Sequence, residues 1–355
     1  MRTLPIRGRG AAENPANRFV PIEVVPDPDA AIEDDERGME TRFFEDSTRS
    51  IISRNDSPDV GFDASVNPYR GCEVGCIYCY ARTFHEYLGF SAGLDFETRI
   101  LVKKDAPELL REELASPRWK PQVIALSGAT DPYQPIERAL RLTRGCLEIL
   151  AEARNPVQVV TKRDLVVRDI DLLGGLSAIG AASVHISVTT LDQGLQRVME
   201  PRGAAPYRRI EAIRRLAGGG VRVGVNVAPV IPGLTDHEVP SILEAAREAG
   251  AMTATYILLR LPFGIRELFD GWLERHFPDR REKVMGRVRE TRAGRLYDPR
   301  FAVRGRGVGE YATQIHSMFR VTAARLGYET APPPLSAESF RAPRSGPQLG
   351  LFDGV

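Results

Sequence analysis

Strand and helix signals alternate along most of this 355-residue chain, and this alternation limits the possible folds more than any other feature. Short runs rich in valine and isoleucine are separated by longer segments with apolar residues at helical spacing. Because strands joined by helical crossovers form parallel sheets, the pattern predicts an α/β fold. The predicted strands span residues 65–70, 99–103, 122–126, 157–161, 183–189, 221–227 and 253–258.

The pattern repeats in about six β-strand and helix units, which indicates a partial (β/α)6 barrel similar to a TIM barrel. In such folds the active site lies at the carboxyl ends of the strands. Apolar residues at helical spacing predict one long helix over 135–153. After the last strand, further helices are predicted at 265–276, 280–291 and 310–326.

The two ends of the chain lack this alternation. Residues 1–60 are dominated by glycine, proline and charge, which predicts a partly ordered N-terminal arm. Residues 61–262 hold the predicted core, and 263–330 form a helical, basic C-terminal extension. The proline-rich segment 331–355 is predicted to be disordered.

Composition and cysteine content indicate a reducing compartment. The formal net charge of +1 gives no bulk attraction to nucleic acid or to a membrane. No apolar run is long enough to cross a bilayer, and the basic N-terminus lacks the apolar centre of a secretory signal. Few, clustered cysteines favour a metal site over a disulfide framework. We therefore expect a cytoplasmic protein with no membrane partner.

Three of the four cysteines, Cys72, Cys76 and Cys79, lie within eight positions in the spacing C-x3-C-x2-C. Thiolates this close repel one another unless a metal neutralises them. Gly71 and Gly75 allow the backbone to turn tightly enough to direct the sulfurs toward one point. Because the loop follows the first predicted strand of the barrel, it is expected at the active end of the sheet.

Three kinds of site fit these cysteines on residue chemistry alone. A structural zinc ion needs four ligands, and His85 is the nearest candidate for the fourth. A redox Cys-x-x-Cys motif would use Cys76 and Cys79 and leave Cys72 without a role. A [4Fe–4S] cluster normally takes four thiolates, so with three cysteines one iron keeps an open position.

In this strand and helix context, the cysteine motif resembles the radical S-adenosylmethionine (SAM) superfamily. Further motifs, in the same order, resemble its spore photoproduct lyase branch over roughly residues 65–260. They are SGATDPYQP (127–135), VTKR (160–163), HISV (185–188), MEP (199–201) and GVNVAPV (224–230).

The resemblance implies two cofactors, a [4Fe–4S] cluster held by Cys72, Cys76 and Cys79, and SAM bound at the open iron. In that family an electron from the cluster cleaves SAM to methionine and a 5′-deoxyadenosyl radical, which abstracts hydrogen from the substrate. The electron comes from a reductant such as flavodoxin or ferredoxin.

The resemblance also implies roles for several side chains. Tyr78 is expected near the adenine, and Thr130, Lys162 and Ser187 match positions that contact SAM. Tyr80 matches a tyrosine implicated in hydrogen transfer, which makes it the catalytic candidate.

Asp131 and Asn226, at strand ends, are expected to border the same site. A SAM carboxylate would also partner the Lys162 charge. On the residues alone, Lys162 is equally explained as a snorkelling side chain, and Thr130 and Asp131 as helix caps.

The chain departs from the lyase branch at one position. That enzyme repairs a thymine dimer in spore DNA and returns a hydrogen atom from a cysteine, where this chain has Gly128. Cys146 is expected to be a small core residue rather than a substitute donor. We therefore predict a radical SAM enzyme whose substrate is a nucleic acid. The alternatives are radical modification of a small molecule or protein, and a zinc-stabilised, non-catalytic module that binds DNA or a clamp.

Two features bear on partners. Residues 275–306 contain eleven lysines and arginines against four acidic residues, which is either a solvated face or a phosphate-binding patch. The tail segment QLGLF (348–352) resembles the peptide by which bacterial DNA-repair proteins bind the sliding clamp. The alternative for this tail is a segment that folds back on the core.

Overall fold

The computed structural model describes residues 5–20, 39–330 and 332–344. Valine- and isoleucine-rich runs form the strands of the main sheet, as the side-chain pattern predicts. The strands are β1 (Arg42–Glu45), β2 (Ile52–Arg54), β3 (Ala64–Val66), β4 (Tyr69–Arg70), β5 (Arg99–Val102), β6 (Ile124–Leu126), β7 (Val157–Thr161), β8 (Ala182–Ser187), β9 (Val223–Val230) and β10 (Thr253–Leu258).

Helices connect most of the parallel strands and continue after β10. They are α1 (Arg82–His85), α2 (Leu94–Thr98), α3 (Ala106–Ala115), α4 (Glu137–Leu140), α5 (Leu142–Ala153), α6 (Ile170–Ala178), α7 (Gln193–Met199), α8 (Pro206–Gly218), α9 (Val239–Glu248), α10 (Ile265–His276), α11 (Pro278–Glu290), α12 (Val303–Arg306) and α13 (Glu310–Arg325). None of the described helices combines the length and apolar character that a membrane span requires.

The main sheet confirms the predicted α/β class. Its strand order is β10-β9-β8-β7-β6-β3-β2, and all neighbours are parallel except the β2–β3 pair. Six consecutive parallel strands joined by crossovers have the topology of a partial (β/α)6 barrel. Among the described residues no hydrogen-bonded ladder joins β10 to β2. The carboxyl ends of all six strands therefore share one edge, where loops can meet.

The buried apolar residues form two main cores. The sheet core packs strand residues such as Val184 and Ile186 against helix residues such as Leu150. The loop core surrounds the cysteines and includes Trp272 of α10, whose indole donates to the Val198 carbonyl at 3.0 Å. The first two helices after β10, α10 and α11, therefore share a core with the cysteine loop, whereas α13 packs on the sheet core. The predicted boundary at residue 262 remains a prediction.

Two local predictions are wrong. The predicted strand 99–103 forms β5, but β5 pairs with β1 and β4 in a separate three-stranded sheet. The single helix predicted over 135–153 is divided at Arg141, which has a φ of 56°. The buried Glu137 carboxylate causes this division, because it accepts the backbone N–H groups of Thr143 and Arg144 at the start of α5.

Part of the predicted disordered tail is also ordered. Ser336 donates its backbone N–H to the Gly180 carbonyl at 2.9 Å, and Arg341 donates to Ala153 at 2.9 Å. Phe340 packs against the sheet core. These contacts satisfy carbonyls at the ends of α5 and α6, which is the physical reason that 332–344 adopts one path. The QLGLF segment lies outside the described residues.

Candidate active site

The cysteine loop turns as its glycines predict. Gly71 and Gly75 have φ values of 79° and 71°, a region that side chains with a Cβ rarely adopt. The Cys72 N–H donates to the Phe96 carbonyl at 2.8 Å, and the Cys79 N–H donates to Cys76 at 3.2 Å. These bonds wind the loop tightly and direct all three sulfurs to the same side.

A buried ion pair supports the loop from behind. Arg82 and Glu97 are both fully buried and hydrogen-bonded to each other. The Arg82 guanidinium also donates to the Cys76 carbonyl at 3.0 Å. The Glu97 carboxylate accepts the backbone N–H groups of Gly10 at 2.9 Å and Ala11 at 2.8 Å. Residues of the N-terminal arm thus hold the cysteine loop, a role that the sequence did not indicate.

A second set of contacts ties the loop to the segment after β6. The Gln134 side-chain oxygen accepts the Glu73 backbone N–H at 3.0 Å. The Glu73 carboxylate accepts the Ile136 N–H at 3.1 Å and pairs with Arg202 at 2.8 Å. The loop is therefore held on both sides, which limits how far the cysteines can move relative to the sheet.

A cavity of about 240 Å³ lies at the carboxyl ends of β6 to β10 and is closed on one side by the cysteine loop. The structure brings together in its lining every site residue predicted from the sequence. These residues are Cys72, Cys76, Tyr78, Cys79, Tyr80, Thr130, Asp131, Lys162, Ser187 and Asn226.

The cysteines fit a group that carries positive charge. Burial raises the pKa of the Cys72 and Cys76 thiols, and the nearby carboxylates of Asp131 and Glu200 raise these pKa values further. A positively charged metal group would offset this effect, because it favours the thiolate form of its ligands. Among the described residues no three His, Cys, Asp or Glu side chains converge on one ion-sized point. A four-iron cluster is wider than a single ion, so its thiolate ligands stand farther apart.

Two other candidates lie away from the cavity. His85, considered as a fourth zinc ligand, is buried and stacks on Phe90 with ring centroids 5.0 Å apart. It does not line the cysteine cavity, and burial lowers its pKa to about 4. Cys146 is fully buried in the sheet core, as expected for a small core residue.

Lys162 already has a carboxylate partner within the protein. Its ammonium lies 3.5 Å from Glu200 and donates to the Ala228 carbonyl at 2.8 Å. Burial alone would raise the pKa of Glu200, but Arg209 and Lys162 lower it to about 2. Glu200 also accepts hydrogen bonds from Tyr78 and from Thr189. The argument that Lys162 needs a ligand carboxylate is therefore wrong, since Glu200 fills that role.

Thr130 and Asp131 have structural contacts of their own. The Asn67 side-chain oxygen accepts the Thr130 N–H at 3.2 Å. The Asp131 carboxylate accepts the Thr161 hydroxyl and the Lys162 N–H, each at 2.7 Å, and the Tyr133 N–H at 2.9 Å. Asp131 thus fixes the ends of β6 and β7 to each other, in addition to lining the cavity.

The remaining predicted residues differ in their exposure and in their hydrogen-bond partners. The Tyr80 hydroxyl donates to the Gly128 carbonyl at 2.7 Å, and its ring is 38% exposed at the cavity entrance. The Asn226 side-chain oxygen accepts the Thr255 hydroxyl at 2.6 Å. Ser187 lies beside Asn226 in the β8–β9 register and is buried.

Sequence reasoning missed several residues that organise this site. Glu200 lies in the recognised motif MEP. Nothing in the neighbouring sequence indicates that its carboxylate is buried between Lys162 and Tyr78. Asn67 precedes a proline in the run that leads to the cysteines, which was the only available hint. Arg260, which lines the cavity after β10, stands outside every recognised motif.

Comparison with known proteins identifies a protein family whose sequence profile matches this chain. The sequence profile described as "Radical SAM superfamily" matches residues 66–246, about half of the chain. An uncharacterized protein of Mycobacterium tuberculosis is 36% identical over 231 residues, which cover 64% of this chain and 67% of that protein. The "Radical SAM Nalpha-GlyT isomerase" of Pseudomonas phage M6 is 25% identical over 265 residues, covering 74% of this chain and 52% of the isomerase.

Among solved structures, the chain is similar to a spore photoproduct lyase mutant with bound AdoMet and dinucleoside spore photoproduct. The TM-score is 0.54 at 17% identity, and the match covers 81% of this chain and 80% of the lyase. At this identity the likeness establishes the fold, which agrees with the partial barrel described above.

Proposed function

Because this chain belongs to the radical SAM superfamily, we propose that it is a SAM-cleaving enzyme that acts on a nucleic acid. Its cofactors are a [4Fe–4S] cluster and SAM, and it requires a reductant, for which flavodoxin or ferredoxin is the proposed class. When bound, the cofactors supply reductive cleavage of SAM to methionine and a 5′-deoxyadenosyl radical that abstracts hydrogen from the substrate. The cytoplasm is the proposed location, since free thiols need a reducing compartment.

One observation carries the proposal, namely that three loop cysteines share a single cavity with polar groups from the successive strand ends. Cys72, Cys76 and Cys79 would hold the cluster through their sulfurs. Three protein ligands leave one iron without a protein donor, and an open metal position is what a bound reactant requires. The family match favours this proposal over the non-catalytic zinc module considered above.

The cavity polar groups would divide between cofactor binding and support. Ser187 and Thr130 line the cavity, and their hydroxyls are proposed to bind SAM through hydrogen bonds. Lys162 and Glu200 hold the Tyr78 ring, since the Lys162 ammonium lies 5.6 Å from the Tyr78 ring centroid. Tyr78 would thereby present a fixed aromatic edge to the adenine.

Tyr80 is proposed as the residue that exchanges a hydrogen atom with the substrate. Its phenol is at the cavity entrance, and the Gly128 carbonyl orients it. Among the four cysteines, three are in the loop and Cys146 is fully buried in the sheet core. A thiol is therefore not at hand to return hydrogen as in the lyase branch, so repair of a thymine dimer by that route is not proposed.

Nucleic acid is favoured as the substrate by charge and by relatives. The basic stretch 275–306 belongs to α10, α11, α12 and their connections, which follow the last strand at the active edge. The lyase relative carries a dinucleoside lesion in its structure, and this supports the same substrate class here. Modification of a small molecule or a protein is the alternative that the experiment below can reveal.

Anaerobic reconstitution with iron and sulfide tests the proposal. We expect a brown protein with an EPR signal after reduction, which produces 5′-deoxyadenosine from SAM in the presence of dithionite. A colourless protein with stoichiometric zinc, or a brown protein that leaves SAM intact, would contradict it. Comparing modified nucleosides and metabolites from cells with and without the gene then separates a nucleic acid substrate from a small molecule.

A further inference from the structure

The entrance of the cavity is formed by two segments that are distant in the sequence. Arg260 follows β10, the last strand of the parallel series. Tyr80 follows the cysteine loop, which comes after β3, the first strand of that series. The Arg260 guanidinium lies over the Tyr80 ring, 4.9 Å from its centroid. Among the described residues no strand ladder joins the sheet ends on this side of the partial barrel, and both Arg260 and Tyr80 line the cavity there.

Arg260 forms no ion pair in the described part of the chain, although its charge interacts electrostatically with the Asp59 carboxylate. Its Nε is buried without a hydrogen-bond partner, and no carboxylate forms an ion pair with it there. Asp59, the acid on this side of the entrance, is engaged by the Ala302 N–H at 2.6 Å and by Arg304. A partly buried guanidinium without a counterion is costly, and a ligand anion would remove that cost.

A second arginine reinforces the positive charge. Arg292 is fully buried and donates to the carbonyls of Leu259 at 2.9 Å and Val303 at 2.8 Å. These bonds fix the chain on either side of the entrance. Burial and, to a smaller extent, the charge of Arg260 lower the pKa of Arg292 to about 10, and the Asp298 carboxylate opposes this effect.

Exposed aromatic rings alternate with these cations. Phe84 is 46% exposed and meets Tyr80 edge to face, with ring centroids 6.2 Å apart. Phe301 is 51% exposed, and the Arg304 guanidinium lies 4.5 Å from its centroid. Cations interleaved with exposed rings are typical of sites that bind unpaired nucleotides, where bases stack and phosphates pair with arginine.

We propose that Arg260 binds a backbone phosphate of an unpaired nucleic acid strand, while Tyr80, Phe84 and Phe301 stack on its bases. The planar guanidinium matches two phosphate oxygens at once. An acidic peptide would also supply anions, but it would leave the exposed rings without flat partners. The inference rests on the proposed function, because it names the substrate class of that same cavity.

Fluorescence anisotropy with the reconstituted holoenzyme and a labelled single-stranded oligothymidylate of about 12 nucleotides tests this inference. Arg260→Ala should weaken binding by about tenfold and reduce the slope of log affinity against log salt by about one. Arg260→Lys keeps the charge, so it should restore the salt slope and part of the affinity. Arg214→Ala on α8, where Arg214 pairs with Glu211 in the described structure, removes the same charge and should bind like the unmodified protein.

Three outcomes would overturn the inference. The unmodified protein fails to bind oligothymidylate, or Arg260→Ala and the unmodified protein have equal salt slopes. The third is that polyglutamate displaces the labelled oligothymidylate as effectively as unlabelled oligothymidylate does. Circular dichroism of each variant separates misfolding from lost contact, and the Arg260→Lys result holds even where the alanine variant fails to fold. SAM cleavage by the unmodified protein, measured without any oligonucleotide, reports on the proposed function separately. A protein that cleaves SAM but is indifferent to Arg260 would contradict only this inference.

Discussion

The sheet core and the loop core of this protein are stabilised in different ways. The sheet core is formed mainly by aliphatic side chains on β6 to β10 and the helices that cover them, and its buried acid Asp169 pairs with two partly exposed arginines. The loop core encloses ion pairs in which both partners are buried, Arg82 with Glu97 and Arg209 with Glu200. Aliphatic packing tolerates small changes, whereas a buried charge that loses its partner is left uncompensated.

This difference indicates a division of labour. The sheet provides a rigid edge whose strand ends are placed by many weak contacts. The loop must hold three sulfurs and a hydrogen-bonding cavity in fixed positions, and directional contacts achieve this better than aliphatic packing. Substitutions in the two cores should therefore have different consequences for stability and for cofactor binding.

The largest contrast is expected between two cysteines. Cys76→Ala should abolish both the brown colour and SAM cleavage, because a cluster with two cysteine ligands is not retained. Cys146→Ala, in the sheet core, should keep both properties and lose only a small amount of stability. Iron content and 5′-deoxyadenosine formation measure the effect. A cluster that survives in Cys76→Ala would remove this residue from the proposed ligands.

A smaller contrast separates the buried ion pair from aliphatic packing. Arg82→Met should lower the free energy of unfolding by about 3–5 kcal/mol, because it leaves the Glu97 carboxylate buried without its partner. Leu150→Ala in the sheet core should lower it by a similar amount, about 2–5 kcal/mol. Urea unfolding measures both.

Iron retention in the folded fraction distinguishes these two variants. Arg82→Met should also retain less iron, since Arg82 holds the Cys76 carbonyl. Leu150→Ala should retain iron as the unmodified protein does. Equal iron retention in the two variants would show that the ion pair does not support the loop.

The smallest effect is expected for pH. Burial lowers the pKa of His85 to about 4, whereas an unfolded histidine titrates near 6.5. Between these values the unfolded chain binds more protons, so stability should rise with pH across this window. Lowering the pH from 7 to 5 should therefore cost about 2 kcal/mol from this residue.

His85→Phe preserves the stacking on Phe90 and should remove that part of the pH dependence. Urea midpoints of the cluster-free protein at the two pH values measure it. The buried His185, whose pKa burial also lowers, is present in both proteins and acts as an internal control. An unchanged difference between pH 7 and pH 5 in His85→Phe would contradict the assignment.

Much of the fold and site followed from local patterns in the chain. Strand runs and helical spacing predicted the parallel sheet, because side-chain periodicity reflects burial directly. Residues at the ends of β6, β7 and β8 were expected at one edge together with Asn226 of β9, and they line one cavity. The break at Arg141 was not predictable from periodicity, since both halves continue the same apolar face. Its cause is the buried Glu137 carboxylate, which is also held by Tyr69 and Arg168 from distant parts of the sequence.

The chain itself determined the cysteine triplet, since a spacing of a few residues and two glycines are enough to bring three sulfurs together. Only the tertiary structure decided which charges stand beside them. Glu97 meets Arg82 and the N-terminal arm, Glu200 meets Lys162, and Arg260 meets Tyr80 across the open side of the barrel. These partners are separated by 15 to 180 positions in the sequence, and nothing in the sequence near a charged side chain identifies its partner until packing removes both from water.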